Sequence, residues 1–315
     1  MAPIRAVVVD PEAPERLALR EVEPPTPSRG EALVRVAAIS LNRGEVRRVA
    51  AAAAGWRPGW DTAGTVEHAA NDGSGPREGA RVVGLLPEAA WAEVVAVPTD
   101  NLAVLPDGVS FAQAATLPVA GLTALYVLER GGSLLDRRVL VTGASGGVGD
   151  FAVQLARAAG ARVTALVHRE RSAAAAEAAG AQRVVVSADG AAAAEHGPYD
   201  LIAESVGGAV LGNALAMLAP GGACVTFGPT AGVQVTFDVS RFYPVGGTSL
   251  QGFILFHEIR SKPAGAGLAR LLRLVAAGRL RTPIAAEAPW TEIGAYARRL
   301  TERDYTGKAV LHVGA

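Results

Sequence analysis

Cysteine is almost missing from this chain: Cys224 is the only one among 315 residues. A single thiol makes no intramolecular disulfide and no cysteine zinc cluster. Lysine is nearly as scarce, with Lys262 and Lys308 alone, so arginine carries nearly all the positive charge. Net charge is absent too, because 30 Lys+Arg balance 30 Asp+Glu. A neutral chain without a basic block offers little to a polyanion, and no nucleic-acid partner is expected. No apolar run is long enough to cross a bilayer, and no membrane association is expected. The N-terminus leads into the strand-like Ala6-Val7-Val8-Val9 without a signal-peptide pattern, so a cytoplasmic protein is the expectation. His68, His168, His196, His257 and His312 are scattered with no ligand spacing, and no metal is expected.

What is present is apolar residue and glycine. Hydrophobic residues make up 50% of the chain, and 315 residues are enough for two domains. The organising stretch is Arg138 to Gly149, RVLVTGASGGVG. Val139-Leu140-Val141 is too short for a helix and suits a buried parallel strand. Gly143, Gly146, Gly147 and Gly149 follow, then the helix-like Phe151 to Ala156, then a second apolar run, Val163 to Val167. Strand, glycine loop, helix and strand over about thirty residues read as a dinucleotide-binding unit; the alternative is a glycine turn that simply caps a strand. Glycine lets the backbone approach a pyrophosphate, and the helix N-terminus supplies free N–H groups. The spacing is G-x-x-G-x-x-G rather than G-x-G-x-x-G, so the context carries the reading.

Residues 1 to about 110 read as β-rich, with apolar runs at 6–9, 32–39, 63–68, 80–86 and 91–97 between turn formers, which points to an antiparallel barrel or sandwich. Ala50 to Ala54 reads as a frayed helix or a mobile loop. From Ser110, a plausible N-cap, two helices are expected over 111–117 and 120–128. Strands at 139–142, 162–167, 183–186, 200–204 and 223–227 then alternate with helices at 149–159, 172–179 and 208–219, a doubly wound parallel sheet. A strand over 249–256, an amphipathic helix over 265–277, a last helix capped by Thr291 and a final strand over 309–313 complete the chain.

The sequence resembles the medium-chain dehydrogenase/reductase superfamily, in particular its zinc-free, ζ-crystallin-like quinone oxidoreductase branch. The resemblance rests on Ser40-Leu41-Asn42-Arg43-Gly44-Glu45, Pro58-Gly59-Trp60-Asp61-Thr62-Ala63-Gly64, Gly79-Ala80-Arg81-Val82-Val83-Gly84 and Ala90-Trp91-Ala92-Glu93. It continues through Ala114-Ala115-Thr116-Leu117-Pro118, Gly121-Leu122-Thr123-Ala124, the glycine loop and Thr306-Gly307-Lys308, in the family's order. It implies a GroES-like substrate domain from both chain ends (1–118 and 261–315) and a Rossmann NADPH-binding domain between them (119–260). Zinc-dependent members have cysteine where Asn42 stands and Gly-His-Glu where Gly59-Trp60-Asp61 stands, so zinc chemistry is not expected here.

The tip of the second Rossmann strand reads the adenosine ribose: an acid binds the 2′-hydroxyl of NAD, cations the 2′-phosphate of NADP. Here His168-Arg169-Glu170-Arg171-Ser172 follows Val167, which favours NADPH through His168, Arg169 and Arg171. The other reading makes the arginines a solvated loop and Glu170 the ribose ligand. The family's usual Lys at Ser172 and Tyr near Ala188 are both missing. The resemblance also implies cofactor contacts from Thr123, Ser145, Gly146, Gly147, Val148, Ser205, Val206, Gly228 and Thr230. Phe253 and Leu255 would lie beside the nicotinamide or pack in the core.

Without zinc, the chemistry left is direct hydride transfer from NADPH to a quinone or a small α,β-unsaturated carbonyl, an apolar or aromatic ligand. Asn42 is the candidate polar site residue, as an orienting amide or simply a strand-end turn former. Tyr243 is a candidate proton donor, with solvent as the alternative; related enoyl reductases often carry a tyrosine in the region of Ala50 to Trp60, which here has none. An enoyl reductase of secondary metabolism and an NADPH-binding sensor or structural protein are the competing functions. Relatives pair the strand holding Gln251 to Phe256 across a two-fold axis, so a homodimer is expected.

Overall fold

The computed structural model describes residues 2–314. In chain order the strands and helices are β1 (Ile4–Val9), β2 (Leu17–Val22), β3 (Glu31–Ser40), α1 (Arg43–Ala51), β4 (Asp61–His68), β5 (Arg81–Leu85), β6 (Val94–Pro98), β7 (Leu102–Val104), α2 (Phe111–Ala115) and α3 (Leu122–Glu129). They continue with β8 (Arg138–Thr142), α4 (Gly147–Ala158), β9 (Arg162–Val167), α5 (Ala173–Ala178), β10 (Arg183–Val186), β11 (Tyr199–Glu204), α6 (Gly208–Leu215), β12 (Leu218–Thr226) and β13 (Ser249–Gly252). The chain ends with α7 (Leu255–Glu258), α8 (Ala264–Ala276), β14 (Ile284–Pro289), α9 (Ile293–Glu302) and β15 (Lys308–His312). The chain divides into two units: one runs to Leu122 and resumes at Ile259, and the other is Thr123–Glu258.

The first unit is built on β3. One edge of that strand pairs with β4. The other pairs with β6 through residues 31–35 and with β15 through residues 38–40. The C-terminal strand thus returns to the sheet of the N-terminal region. The full order is β14-β15-β3-β4-β5-β7, with β6 on β3. Gly64 sits where the β3–β4 register shifts, and a Cβ there would come within 2.0 Å of the Arg35 carbonyl oxygen, so only glycine allows this approach. Trp91, Trp290, Ile39 and Leu41 are fully buried in its core. Ser110 caps α2 as expected, its hydroxyl accepting from Gln113 N–H while the Gln113 side chain reaches back to Ser110 N–H.

The second unit is a parallel sheet in the order β10-β9-β8-β11-β12-β13, which is 3-2-1-4-5-6 counted from β8. The doubly wound sheet read from the sequence is therefore present. Strands β8, β9 and β11 lie close to their expected positions because each is a short, largely apolar run buried on both faces. Tyr199, Ile202, Leu140 and Cys224 lie at its centre. Burial, then the nearby Glu204 carboxylate, pushes the Cys224 thiol up, so it stays an inert thiol.

Four local expectations are corrected. The strand expected over 249–256 stops at Gly252; the Ile254 carbonyl accepts from both His257 N–H and Glu258 N–H, which closes a helical turn, and Glu258 pairs with Arg130. The two helices expected either side of Pro118 are joined by a π-helical turn over Leu117–Gly121. That wider turn accommodates a residue without an N–H donor. Thr291 is not a cap: it lies inside a 3₁₀ turn and α9 begins at Ile293. Strand β14 was not expected, because its pairing with β15 is long-range and Pro289 ends it at a sheet edge. The alanine-rich stretch from Ala50 is the end of α1 followed by irregular chain. Among the described residues no helix is long and apolar enough to cross a membrane.

Candidate functional site

In the second unit the strand order reverses between β8 and β11, and ligands in such sheets bind beyond the carboxyl ends of the strands at that point. The loop after β8 supplies Gly143, with φ +59°, and Gly146, which caps the twelve-residue α4. Gly146 N–H donates to the Gly143 carbonyl at 3.0 Å and Asp150 N–H to the Gly146 carbonyl at 2.9 Å. The intervening N–H groups of the first turn have no partner within the helix and point out of its N-terminus. Gly149 packs that turn onto the loop, where a Cβ would meet the Gly143 carbonyl oxygen at 2.3 Å and Ala144 Cα at 2.6 Å. A backbone loop of this geometry can hold a phosphate. Ser145, Gly146, Gly147 and Val148 stand in it, none of them fully buried.

The carboxyl ends of β8, β11 and β12 are tied together by one carboxylate that the sequence reading missed. Glu204 is fully buried. Its Oε1 accepts from Val206 N–H at 2.6 Å, Gly207 N–H at 2.9 Å and Thr142 Oγ1 at 3.3 Å, and its Oε2 accepts from Thr226 Oγ1 at 3.0 Å. Ser205 Oγ donates to the Thr142 carbonyl at 3.1 Å, and Thr230 Oγ1 donates to the Ser205 carbonyl at 3.1 Å. The Ser205 hydroxyl and the Val206 N–H are thus engaged inside the protein and shape the loop. Gly228 lies against the same loop, its virtual Cβ 3.3 Å from the Ser205 carbonyl. At the tip of β9, His168, Arg169 and Arg171 are all exposed, as is Glu170. Thr123, Phe253 and Leu255 are buried, whereas Tyr243 is 69% exposed in a 3₁₀ turn.

In the first unit Asn42 opens α1 and belongs to a buried polar cluster. Lys308 Nζ donates to the Leu41 carbonyl at 2.9 Å, Asn42 Oδ1 at 2.5 Å and Asp61 Oδ2 at 3.1 Å, which uses all three ammonium protons. Asp61 Oδ2 also accepts from Asn42 Nδ2 at 2.8 Å and Ser40 Oγ at 2.6 Å, while its Oδ1 accepts from Val119 N–H at 2.9 Å. Ser40 Oγ is also 2.8 Å from the Ala115 carbonyl, so its single proton is shared between two acceptors. Glu45 Oε1 accepts from Asn42 N–H at 2.6 Å and Asn42 Nδ2 at 3.0 Å; its Oε2 is buried without a partner. Burial, then repulsion from Asp61, pushes the Glu45 carboxyl well above the usual carboxylate range, against the pull of Lys308 and of the Asn42 hydrogen bonds.

The expected role of Asn42 is narrowed by these bonds. Both amide protons are taken by Glu45 and Asp61, so Asn42 has no donor left for a substrate oxygen. The acids around it were not singled out from the sequence; the available signal was two carboxylates and a scarce lysine set among apolar strand residues.

A parallel sheet with a glycine loop at its switch point, in a chain whose other unit is β-rich and built from both chain ends, is the architecture of the two-domain dinucleotide-binding folds. Residues 28–107 match the family model of the alcohol dehydrogenase GroES-like domain, and residues 147–270 match that of zinc-binding dehydrogenase. The chloroplast envelope quinone oxidoreductase homolog of Arabidopsis thaliana is 38% identical over 161 residues, 46% of this chain and 49% of that protein. The chain thus spans about half the length of the curated relatives it matches. The quinone oxidoreductase of Pseudomonas syringae pv. tomato superposes with a TM-score of 0.87 at 27% identity, over 98% of this chain and 99% of that one. Mycobacterial Rv1454c, solved in complex with NADPH, gives 0.88 at 25% identity over 98% and 99%. The chain belongs to the medium-chain dehydrogenase/reductase superfamily, in its quinone oxidoreductase branch.

Proposed function

We propose that this protein is an NADPH-dependent, zinc-independent reductase of a quinone or small α,β-unsaturated carbonyl. The observation that carries the reading is the backbone cradle of Gly143 to Gly149 beside an exposed cationic tip at His168, Arg169 and Arg171. The residues fit the cofactor: the first-turn N–H groups of α4 would hold the pyrophosphate, and the two arginines the 2′-phosphate. Thr123, Val206, Thr230, Phe253 and Leu255 are proposed to shape the nicotinamide end. When bound, NADPH supplies a hydride, which carries both electrons to the conjugated acceptor. Water, or the exposed Tyr243, supplies the proton that completes the hydroquinone or the saturated ketone.

Zinc does not fit the residues of the first unit. The Asn42 amide is fully engaged, Trp60 brings an indole, and the Lys308 ammonium already sits against Asp61. A dication beside that ammonium would be repelled, and among the described residues no group of three or more His, Cys, Asp or Glu is placed to hold a metal. A homodimer along β13 is proposed as well. This strand is the edge of its sheet, its Leu250 is 46% exposed, and Ile254 just beyond it is 68% exposed. A strictly monomeric mass at micromolar concentration contradicts the dimer.

The test is NADPH and NADH oxidation against an ortho-quinone, a para-quinone and a simple enone. Quinone turnover with NADPH supports the proposal; turnover of the enone alone moves the protein to the enoyl reductases. The double variant Arg169→Ala/Arg171→Ala is expected to raise KM for NADPH about 10- to 100-fold while leaving KM for NADH nearly unchanged. Equal loss with both cofactors would count against the phosphate assignment.

A further inference from the structure

Glu204 ends β11 fully buried, and the groups it accepts from, two backbone N–H groups and two hydroxyls, are all neutral donors. The Val206 and Gly207 N–H groups fix the chain just after β11. The Thr142 hydroxyl leads from Glu204 to the glycine loop. Its one proton goes to Glu204 Oε1 at 3.3 Å, which leaves its oxygen aimed to accept from Ser205 N–H at 2.9 Å. Ser205 Oγ in turn donates to the Thr142 carbonyl at 3.1 Å. Thr142 and Ser205 are thus joined twice.

The carbonyl that Ser205 holds belongs to the planar peptide between Thr142 and Gly143. Gly143 lies directly against Ser205, where a Cβ would come within 2.5 Å of Ser205 Oγ. The Gly143 carbonyl accepts from Gly146 N–H at 3.0 Å, the bond that closes the loop into α4. Turning the peptide between Thr142 and Gly143 would carry the first turn of α4 with it.

The fourth contact points the other way. Thr226 Oγ1 donates to Glu204 Oε2 from β12. The chain there is also held by backbone, with Phe227 N–H donating to the Glu204 carbonyl at 2.9 Å and Ala231 N–H to the Val206 carbonyl at 2.7 Å. Losing the Thr226 hydroxyl therefore leaves the glycine loop in place.

We propose that Glu204 is a positioning residue for dinucleotide binding: through Thr142 and Ser205 it fixes the Gly143 turn and so aims the N–H groups that open α4. The assignment rests on the proposed role of that loop in holding a pyrophosphate. Every residue of the network lies in the parallel-sheet unit. The network requires an acceptor at 204 rather than a charge. Glutamine there keeps one oxygen for Val206, Gly207 and Thr142, and its amide can donate to the Thr226 hydroxyl oxygen.

Two readouts test this, and neither is turnover. Amide hydrogen exchange of the ligand-free protein reads the loop itself, at Ala144 and Gly146, whose N–H groups donate to the Leu166 and Gly143 carbonyls. Exchange at both is expected to speed about tenfold in Glu204→Ala and to stay within about threefold of the parent in Glu204→Gln. Calorimetric titration with 2′-phospho-ADP-ribose, which has the pyrophosphate and no nicotinamide, reads the consequence. Affinity is expected to fall about 30-fold in Glu204→Ala and to return to within about threefold of the parent in Glu204→Gln.

Thr142→Val and Thr226→Val separate positioning from a general folding defect. Each removes one hydroxyl donor from Glu204, so similar losses of stability are expected. Only Thr142→Val is expected to weaken binding of the probe, about fivefold. Equal affinity in the two threonine variants, equal damage from Glu204→Gln and Glu204→Ala, or unchanged loop exchange in Glu204→Ala overturns the proposal. A parent that does not bind 2′-phospho-ADP-ribose refutes the proposed cofactor instead, and the exchange rates alone then decide whether Glu204 holds the loop.

Discussion

Replacing Lys308 by methionine is expected to destabilise the protein by about 3–5 kcal/mol, because it leaves a buried carboxylate without its counter-ion. Asp61 is fully buried and Lys308 is 3% exposed, so neither solvent nor mobile ions can replace the lost charge. The variant also takes the ammonium donor away from the Leu41 carbonyl and from Oδ1 of Asn42. The strand pairing of β15 with β3 is unaffected by the side chain, so the loss arises from the cluster itself. Chemical denaturation of Lys308→Met, Asp61→Asn and the double variant separates the terms. The double variant removes both charges and is expected to be more stable than Lys308→Met alone. Additive losses would show that the pair is not coupled.

Gly149→Ala is expected to weaken NADPH binding about a hundredfold. The new Cβ would meet the Gly143 carbonyl oxygen at 2.3 Å and Ala144 Cα at 2.6 Å, both of them backbone. No side chain can rotate away, so the first turn of α4 must move off the loop, and the N–H groups proposed to hold the pyrophosphate move with it. The accompanying stability cost of such overpacking is about 1–3 kcal/mol. Gly146→Ala serves as the comparison, since its Cβ would come no closer than 3.4 Å to the Gly143 carbonyl. Titration of each variant with NADPH checks the difference; similar affinities in both would refute the packing argument.

The parallel sheet was legible because its central strands β8, β9 and β11 are short apolar runs separated by turn formers and helical segments. The β-rich unit was legible as a class, and the return of the last strand to it followed from the chain's economy. Strand β14 was hidden because alternating Ile284, Ala286 and Ala288 gives a weak pattern and the partner strand lies beyond α9. The early end of β13 depends on Glu258 meeting Arg130, 128 residues away. The site divides in the same way. Local glycine spacing marked the loop after β8, which is proposed to hold the pyrophosphate. Asn42 was visible as a candidate, but its role was not, because Lys308 and Asp61 are 247 residues apart in sequence and adjacent only in the fold. Glu204 was missed for a related reason: the acid at the end of β11 gains its meaning from Thr142 and Thr226 on neighbouring strands.

The most direct measurement is the loss of bound reduced nicotinamide when the chelator-treated protein, loaded with NADPH or NADH, is mixed with a para-quinone in a stopped-flow instrument. Rapid single-turnover loss with NADPH, much weaker binding of NADH and no response to added zinc are expected. Oxidation that disappears with the chelator and returns with zinc, or tight NADPH binding with no oxidation by any quinone or enone, would contradict the proposed function.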